Sequence, residues 1–133
     1  MTKQTVHDKT EQFFATGETR FYRRGETIVF AGEDPPGVIF LVDGTVEQHD
    51  ITTEGNKLMV NMFRPGAFFP MSWAITKTPN RYFFAAFTEV TVRIIDVDAA
   101  VQFLHDNSDV TFDLLRRVYI GADAILGRLV VAA

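Results

Sequence analysis

The sequence predicts a mainly β fold: an antiparallel β-roll of the jelly-roll or double-stranded β-helix type, with flanking helices. Between Arg20 and Gly66, short apolar segments alternate with glycine and proline turns. Spacings of roughly 8–12 residues between such turns are typical of an antiparallel sandwich or barrel. Before and after this region, the apolar residues return at helical spacing. A length of 133 residues gives room for one domain with a real core.

Turn signals delimit the β segments. They are Gly25, Gly32, Pro35-Pro36-Gly37, Asp43-Gly44, Glu54-Gly55-Asn56 and Pro65-Gly66. Asp43-Gly44 lies between VIFLV and TVEQHDI, and it predicts a hairpin with a turn of the primed kind. Two further strands are predicted over Arg81–Phe87 and Thr91–Asp96.

Helices are predicted on both sides of the roll. The first ends before Gly17 and carries residues at helical spacing, namely Val6, Thr10, Phe13 and Phe14. Asp96 and Asp98 suit the start of a short helix, and Asn107-Ser108-Asp109 offers a cap for the helix that follows.

The last helix carries an apolar seam whose steps alternate between three and four residues. This is the heptad spacing of a coiled coil, and it predicts a dimerisation helix that pairs through Leu115, Val118, Ala122, Ile125 and Leu129. Gly121 and Gly127 each cost about 1 kcal/mol of helix propensity relative to alanine, so we expect a neighbouring backbone to approach closely there. Arg116, Arg117 and Arg128 are expected on the solvated flank of the coiled coil rather than on DNA.

These elements predict a single domain with three parts. They are an N-terminal helix over residues 1–18, a β-roll core over 19–96, and the short and long helices over 97–133. The chain stops inside an uncapped apolar stretch, Val130 to Ala133. From this we expect that the chain is a fragment of a longer protein.

Composition excludes several classes of function. The net charge of −4 disfavours nucleic-acid binding by the chain alone, because cationic contacts to phosphate supply most of that affinity. The absence of cysteine excludes disulfides, thiolate zinc sites, iron–sulfur clusters and cysteine nucleophiles. The polar N-terminus and the lack of a long apolar run predict neither a signal peptide nor a membrane span, and hence a cytoplasmic protein.

No catalytic residue, metal site or cofactor is predicted. His7, His49 and His105 lie in different segments, so they form no predicted metal cluster, and none is well placed as a haem ligand. His49 is expected on an exposed strand. Ser72 has no histidine at a hydrolase spacing. The paired aspartates near the helix starts suit caps better than acid–base chemistry, so we predict that the protein is not an enzyme.

The ordered series of turns resembles the sensor domain of the Crp/Fnr family of bacterial transcription regulators, a cyclic-nucleotide-binding β-roll. The resemblance is carried by "YRRGETIVFAGEDPPGVIFLVDGTVEQ", by "FRPGAFFP" and by "TPNRYFFAAFTEVTVRIIDVDAAVQFLHDNSDV". It covers nearly the whole chain, from Phe13 to Val130. It implies a homodimer built on the long helix, a ligand pocket between the roll and that helix, and a DNA-binding helix-turn-helix domain after residue 133.

The resemblance also implies which residues would line the pocket. Cyclic-nucleotide binders of the family carry Gly-Glu, a short helix and then Arg-Ser/Thr-Ala; the glutamate takes the ribose hydroxyl, and the arginine takes the phosphate. Here Pro70-Met71 stands in place of Gly-Glu, and Asn80-Arg81-Tyr82 in place of Arg-Ser/Thr-Ala, with Arg81 one place late. In a strand, one place turns a side chain to the other face. This predicts a degenerate pocket that binds cyclic AMP weakly or not at all.

The aromatic stretch from Arg64 to Val90 has two interpretations. Its residues either line a pocket for an anion with an apolar body or fill the roll as core, and core is the favoured interpretation because aromatic clusters are usually buried. Arg81 would contact the anion in the first case and pair with Glu89 or Asp34 at the surface in the second. The candidate pocket residues are Phe69, Pro70, Met71, Ser72, Trp73, Asn80, Arg81 and Tyr82.

A short helix is expected over Pro70–Ile75, with its first amides toward the space under the long helix. The aromatic residues near it should divide between the roll interior and the wall that faces the long helix: Phe68, Phe69, Trp73 and Phe84. The predicted function is the sensory and dimerisation domain of a Crp/Fnr-like regulator, in which a ligand shifts the long helices. The alternative is a stand-alone β-roll module that dimerises and binds no small molecule.

Overall fold

The computed structural model describes residues 4–132, and in this range it contains eight strands and four helices. They are α1 (Val6–Phe14), β1 (Glu18–Tyr22), β2 (Thr27–Val29), β3 (Val38–Asp43), β4 (Val46–Ile51), β5 (Lys57–Phe63), β6 (Phe68–Phe69), α2 (Met71–Thr76), β7 (Phe83–Ala86), β8 (Val90–Ile95), α3 (Val97–Asp106) and α4 (Ser108–Ala132). The predicted fold class, mainly β with flanking helices and a long final helix, is confirmed.

The strands form two antiparallel sheets of four strands each. The first has the order β1-β8-β3-β6, and the second has the order β2-β7-β4-β5. Apolar side chains fill the space between the sheets; they include Val29, Ile39, Leu41, Val46, Phe69, Phe84 and Val92. Strand β3 therefore lies at the centre of the molecule, with alternate side chains pointing to opposite faces.

The outer face of the first sheet is covered by helices. Val38 and Phe40 of β3 pack there with Phe14 of α1, Leu104 of α3 and Val110 of α4, all of them buried. The ring of Phe14 stacks on that of Phe40 with centroids 4.8 Å apart. Because its other side chains face the roll interior, β3 is buried on both faces and reads in the sequence as a continuous apolar run.

The predicted Asp43-Gly44 hairpin is wrong. Strands β3 and β4 lie in different sheets, so the chain crosses from one sheet to the other at this turn. The crossover packs against the turn between β7 and β8: Thr45 N–H donates to Thr88 Oγ1 at 3.0 Å, and the Thr45 carbonyl accepts from Phe87 N–H at 2.9 Å. A tight turn fixes the direction of the chain, whereas the pairing partner is set by long-range contacts.

Two helix starts carry side-chain caps. Thr5 accepts from Asp8 N–H, and the Asp8 side chain accepts from Thr5 N–H, which completes a capping box on α1. Asp96 accepts from the backbone N–H groups of Asp98 and Ala99 at 3.1 and 3.2 Å, as the sequence predicts. These caps hold α1 and α3 in place over the first sheet.

We expect Asp96→Ala to lower the free energy of unfolding by about 1 kcal/mol, because two N–H groups of α3 lose their acceptor. The variant Asp96→Asn retains an acceptor oxygen and should stay close to the wild type. Urea denaturation followed by circular dichroism measures both. An alanine variant as stable as the asparagine variant would contradict the capping role.

Helix α4 contacts the rest of the chain mainly through its first turns, where it packs on α1 and α3. Val110 is fully buried and Leu114 is half-buried, but from Leu115 to Val131 every residue is exposed. At Gly121 and Gly127 an added Cβ would meet no atom within 4 Å, so the expected close backbone does not come from the part of this chain that the structure describes. None of the helices described is long and apolar enough to cross a membrane.

Candidate functional site

A cavity of about 760 Å³ lies between the roll and α4. All eight residues predicted for a pocket line it: Phe69, Pro70, Met71, Ser72, Trp73, Asn80, Arg81 and Tyr82. A space therefore remains beside the roll, although Phe69 and Phe84 are buried core residues as the favoured interpretation expects. Tyr82 is half-buried against the roll core, and Met71 packs with the helices, so neither side chain fills the space.

A cluster of phenylalanine rings lies beneath the cavity. The ring centroid of Phe69 is 5.0 Å from those of Phe63 and Phe84, which are themselves 6.0 Å apart, so the three rings contact one another in a triangle. Phe69 and Phe84 are almost fully buried, so they offer a ligand almost no surface. The planes of Phe69 and Phe84 differ by only 9°. Phe69 and Phe84 belong to the roll core, whereas Phe68 and Trp73 pack with the helices. The aromatic residues thus divide between the two layers, as expected from the sequence.

Two helices form the walls. Helix α2 (Met71–Thr76) begins after Pro70, close to the predicted limits, and contributes Met71, Ser72 and Trp73. Helix α4 contributes a stripe at helical spacing: Leu114, Arg117, Val118, Gly121, Ala122 and Ile125. Three residues of the predicted dimer seam, Val118, Ala122 and Ile125, therefore lie on the cavity side, while Leu115 and Leu129 do not line the cavity.

The polar side chains that line the cavity differ in whether they are free to bind a ligand. Asn80 is occupied, because its amide donates to the Tyr82 carbonyl at 2.9 Å and its Oδ1 accepts from Tyr82 N–H at 3.2 Å. Gln48 and Asn61 are register partners on β4 and β5, and both line the cavity. The sequence does not predict this carboxamide pair, because burial does not alternate with period two along β4 or β5.

Arg81 lies at the edge of the cavity and is largely solvated. Its guanidinium is 3.1 Å from Asp50 Oδ2 and 5.1 Å from the centre of the Tyr82 ring, and 72% of its side chain is exposed. Its partner is neither Glu89 nor Asp34. Strand β7 begins only at Phe83, so the argument that one place turns Arg81 to the other strand face does not apply. The pKa of Asp50 is lowered by the N–H of Ile51 and, second, by the hydrogen bond from Arg81.

Arg117 is a second cation of the lining, and the sequence analysis placed it on a solvated flank. Its guanidinium is 2.9 Å from Asp113 and 5.8 Å from the centre of the Phe68 ring. Arg116 also contacts Asp113, at 2.8 Å, but it does not line the cavity. The pKa of Asp113 is lowered by the hydrogen bond from Arg116 and, to a lesser extent, by the charge of Arg117. Asp113 is therefore ionised at neutral pH and shared by two arginines.

His49 is not on an exposed face as expected. Only 12% of its side chain is accessible, and its ring stacks on Phe83 at a centroid distance of 5.2 Å. Its Nδ1 lies 3.2 Å from the buried carboxylate of Glu47, which also pairs with Lys57, but it has no hydrogen-bond partner among residues 4–132. Within the same residues, no group of three or more potential metal ligands comes together.

Comparison with known sequences identifies the family. Residues 19–107, more than half of the chain, match the cyclic nucleotide-binding domain. The chain belongs to the cyclic nucleotide-binding domain family. No curated protein matches its sequence significantly.

The fold of this cyclic nucleotide-binding domain also occurs in solved regulator structures. A transcriptional regulator from Thermotoga maritima is 15% identical with a TM-score of 0.75, over 90% of this chain and 93% of that one. The catabolite activator protein of Thermus thermophilus is 16% identical with a TM-score of 0.72, over 92% and 59%. Oxidised CprK in complex with o-chlorophenolacetic acid is 18% identical with a TM-score of 0.69, over 92% and 51%.

The chain thus spans nearly all of the first protein and just over half of the other two. The predicted sensor-domain fold of the Crp/Fnr type is confirmed. Within the described chain, the lining of the cavity contains two arginines and no acidic side chain.

Proposed function

We propose that this chain is the effector-binding and dimerisation domain of a Crp/Fnr-like transcription regulator, with a degenerate cyclic-nucleotide pocket. The observation that carries the proposal is the apolar face of α4, which borders the cavity and extends beyond it. In this proposal the protein acts in the cytoplasm as a non-enzymatic switch. DNA binding belongs to a domain that follows residue 133.

The apolar face of α4 is too large for a helix that remains in water. Tyr119 is 63% exposed, Leu126 is 58% exposed and Val130 is 76% exposed. At about 100° per residue, the apolar positions cover roughly half of the helix circumference. Contiguous apolar surface of this kind marks an interaction site. A second copy of the same helix is the partner that heptad spacing fits best.

The face divides into two adjacent stripes. The first faces the cavity, as described above. The second also has heptad spacing and consists of Phe112, Leu115, Tyr119, Ala122, Leu126 and Leu129. We propose this second stripe as the dimer seam. It is rotated around the helix relative to the seam expected from the sequence, so Val118 and Ile125 stay on the cavity side. An effector in the cavity would then contact the same helix that carries the seam, which is the requirement for coupling the two sites.

The solved neighbours support a sensory role without fixing the ligand. One is a catabolite activator protein, and another, CprK, contains o-chlorophenolacetic acid. The fold therefore accommodates an effector that is not a nucleotide. In this chain Met71 occupies the position of the family's glutamate, so a ribose hydroxyl would lack its carboxylate acceptor. An unpaired buried polar group costs about 1–3 kcal/mol.

We expect Tyr119→Glu to convert the dimer into a monomer, because it places two like charges in the proposed seam. Sedimentation velocity at several protein concentrations measures the change. Ala124→Glu is the matched control, since Ala124 is exposed on the same helix outside both stripes. A wild-type chain that stays monomeric at high concentration, or a Tyr119 variant that still dimerises like the control, would contradict the proposed seam.

The stand-alone module that binds no small molecule is a second candidate. It is favoured by the ion pair of Arg81 with Asp50 at the surface, which balances one of the two cations of the lining. The two functions differ in one measurable respect, since a ligand that binds only the folded form raises its stability by mass action. Dimerisation without stabilisation by any ligand class would favour the module.

A further inference from the structure

We infer that the cavity binds an aromatic carboxylate, a flat apolar body of about one or two rings with a single anionic group, in preference to a cyclic nucleotide. The inference rests on the proposed effector-binding function and specifies the ligand class. It follows from one juxtaposition in the structure: the partly exposed aromatic side chains of Phe63, Trp73 and Tyr82 lie next to a lining whose only charged groups within residues 4–132 are arginines.

The charge of the lining selects an anion. Arg81 and Arg117 are the only ionised side chains that line the cavity in the described range. Arg81 is balanced by Asp50, whereas Arg117 shares the single carboxylate of Asp113 with Arg116. Two guanidinium groups and one carboxylate leave one positive charge in excess at the Arg117 edge. That excess matches one carboxylate, and a guanidinium binds such a group in a bidentate manner.

The apolar part of the lining selects a flat ring. Phe63, Trp73 and Tyr82 are the partly exposed aromatic side chains of the lining, and an aromatic ligand can stack on them with an offset. Trp73 borders the same space, and Val118 and Ile125 of α4 line the side facing the helix. The volume of about 760 Å³ falls in the range of small-molecule pockets, so a body of one or two rings fits with room to spare.

Few neutral polar groups of the lining are left for a nucleotide, chiefly the Gln48 carboxamide and the hydroxyls of Ser72 and Tyr82. Gln48 and Asn61 offer carboxamides to the ligand, but Asn61 Oδ1 already accepts from Met62 N–H at 2.8 Å. The hydroxyl of Thr78 is bonded to that of Thr76 at 2.7 Å, and the Asn80 side chain is engaged with Tyr82. A cyclic nucleotide brings a purine edge, a ribose hydroxyl and a phosphate, each of which must exchange water for a partner. An aromatic carboxylate brings only one such group.

The test uses the full chain and four probes: 2-naphthoate, its uncharged analogue 2-naphthamide, decanoate and cyclic AMP. Trp73 lines the cavity and is the single tryptophan, so its fluorescence reports occupancy directly. We expect 2-naphthoate to quench Trp73 and to raise the melting temperature. We expect 2-naphthamide and decanoate to bind about ten-fold more weakly or worse, because each lacks either the charge or the ring.

Two matched pairs of variants locate the site. Gly121 lines the cavity and Gly127 does not, and at both positions an added side chain has open space, so each leucine variant should fold. We expect Gly121→Leu to abolish 2-naphthoate binding and Gly127→Leu to retain it. We expect Arg117→Gln to weaken binding about ten-fold or more and Arg116→Gln to weaken it clearly less, since the second removes charge near the cavity but no cation from its lining.

The outcomes separate the inference from the proposed function. Equal binding of 2-naphthoate and 2-naphthamide overturns the role of charge, and equal binding of decanoate overturns the role of the ring. If cyclic AMP binds most tightly and Gly121→Leu removes that binding, effector binding stands and the ligand class is wrong. Binding of 2-naphthoate that survives Gly121→Leu places the ligand elsewhere and overturns the inference. If no probe binds, the ligand class is refuted, while sedimentation of the same samples still tests dimerisation.

Discussion

Replacing Phe69 with alanine should lower the free energy of unfolding by about 3–5 kcal/mol. The Phe69 side chain is 1% exposed and contacts both the Phe63 and the Phe84 ring, where it joins the two sheets. Removing it deletes both ring contacts and leaves a void that the neighbouring β6 strand cannot close, because that strand is held by β3.

Urea denaturation followed by circular dichroism measures this loss. Phe21→Ala is the control of the same chemistry, since Phe21 is 75% exposed on β1 and its removal should change stability by no more than about 0.5 kcal/mol. Similar losses for the two variants would contradict the assignment of Phe69 to the centre of the roll.

A second large loss is expected for Gly44→Ala, about 2–5 kcal/mol in total. Gly44 has a φ of +90°, and a Cβ at this position would lie 2.2 Å from the Glu89 carbonyl oxygen. The left-handed backbone accounts for about 1–2 kcal/mol, and the overlap with the β7–β8 turn accounts for the rest.

Gly55→Ala separates the two causes. Gly55 has a nearly equal φ of +85°, but an added Cβ there meets no atom within 4 Å. We therefore expect Gly55→Ala to cost only the backbone part, about 1–2 kcal/mol. The same denaturation experiment compares the pair. If both variants lose the same stability, the contact of Gly44 with the β7–β8 turn does not contribute to the free energy of unfolding as described.

The sequence predicts the order and type of the elements well because these are local properties. Turn residues such as Gly32 and Gly66 mark chain reversals by their tolerance of positive φ, and both adopt it here. Asp96 marks the start of α3 by the side-chain acceptor that it provides. Such signals do not state which strands become neighbours, and for this reason the Asp43-Gly44 turn was read as a hairpin within one sheet.

The candidate site was predicted in part. Pro70 to Trp73 and Asn80 to Tyr82 could be assigned because their position follows from the ordered turns around them. Gln48 and Arg117 could not be assigned to the site, since each reaches the cavity from a distant segment of the sequence. Whether aromatic side chains enclose a space or fill it depends on packing to within a methyl group, which periodicity does not encode.

Because the second half of α4 is exposed, its helical order should depend on the concentration of the protein. An isolated helix of this length is marginal in water, and every residue of this one from Leu115 to Val131 is exposed. If the seam pairs as proposed, the order of residues 115–131 rises with the concentration of the chain. Dilute protein would then show less helix by circular dichroism than concentrated protein. In a cell, the helical order of α4 would then depend on the number of copies of the domain as well as on its effector.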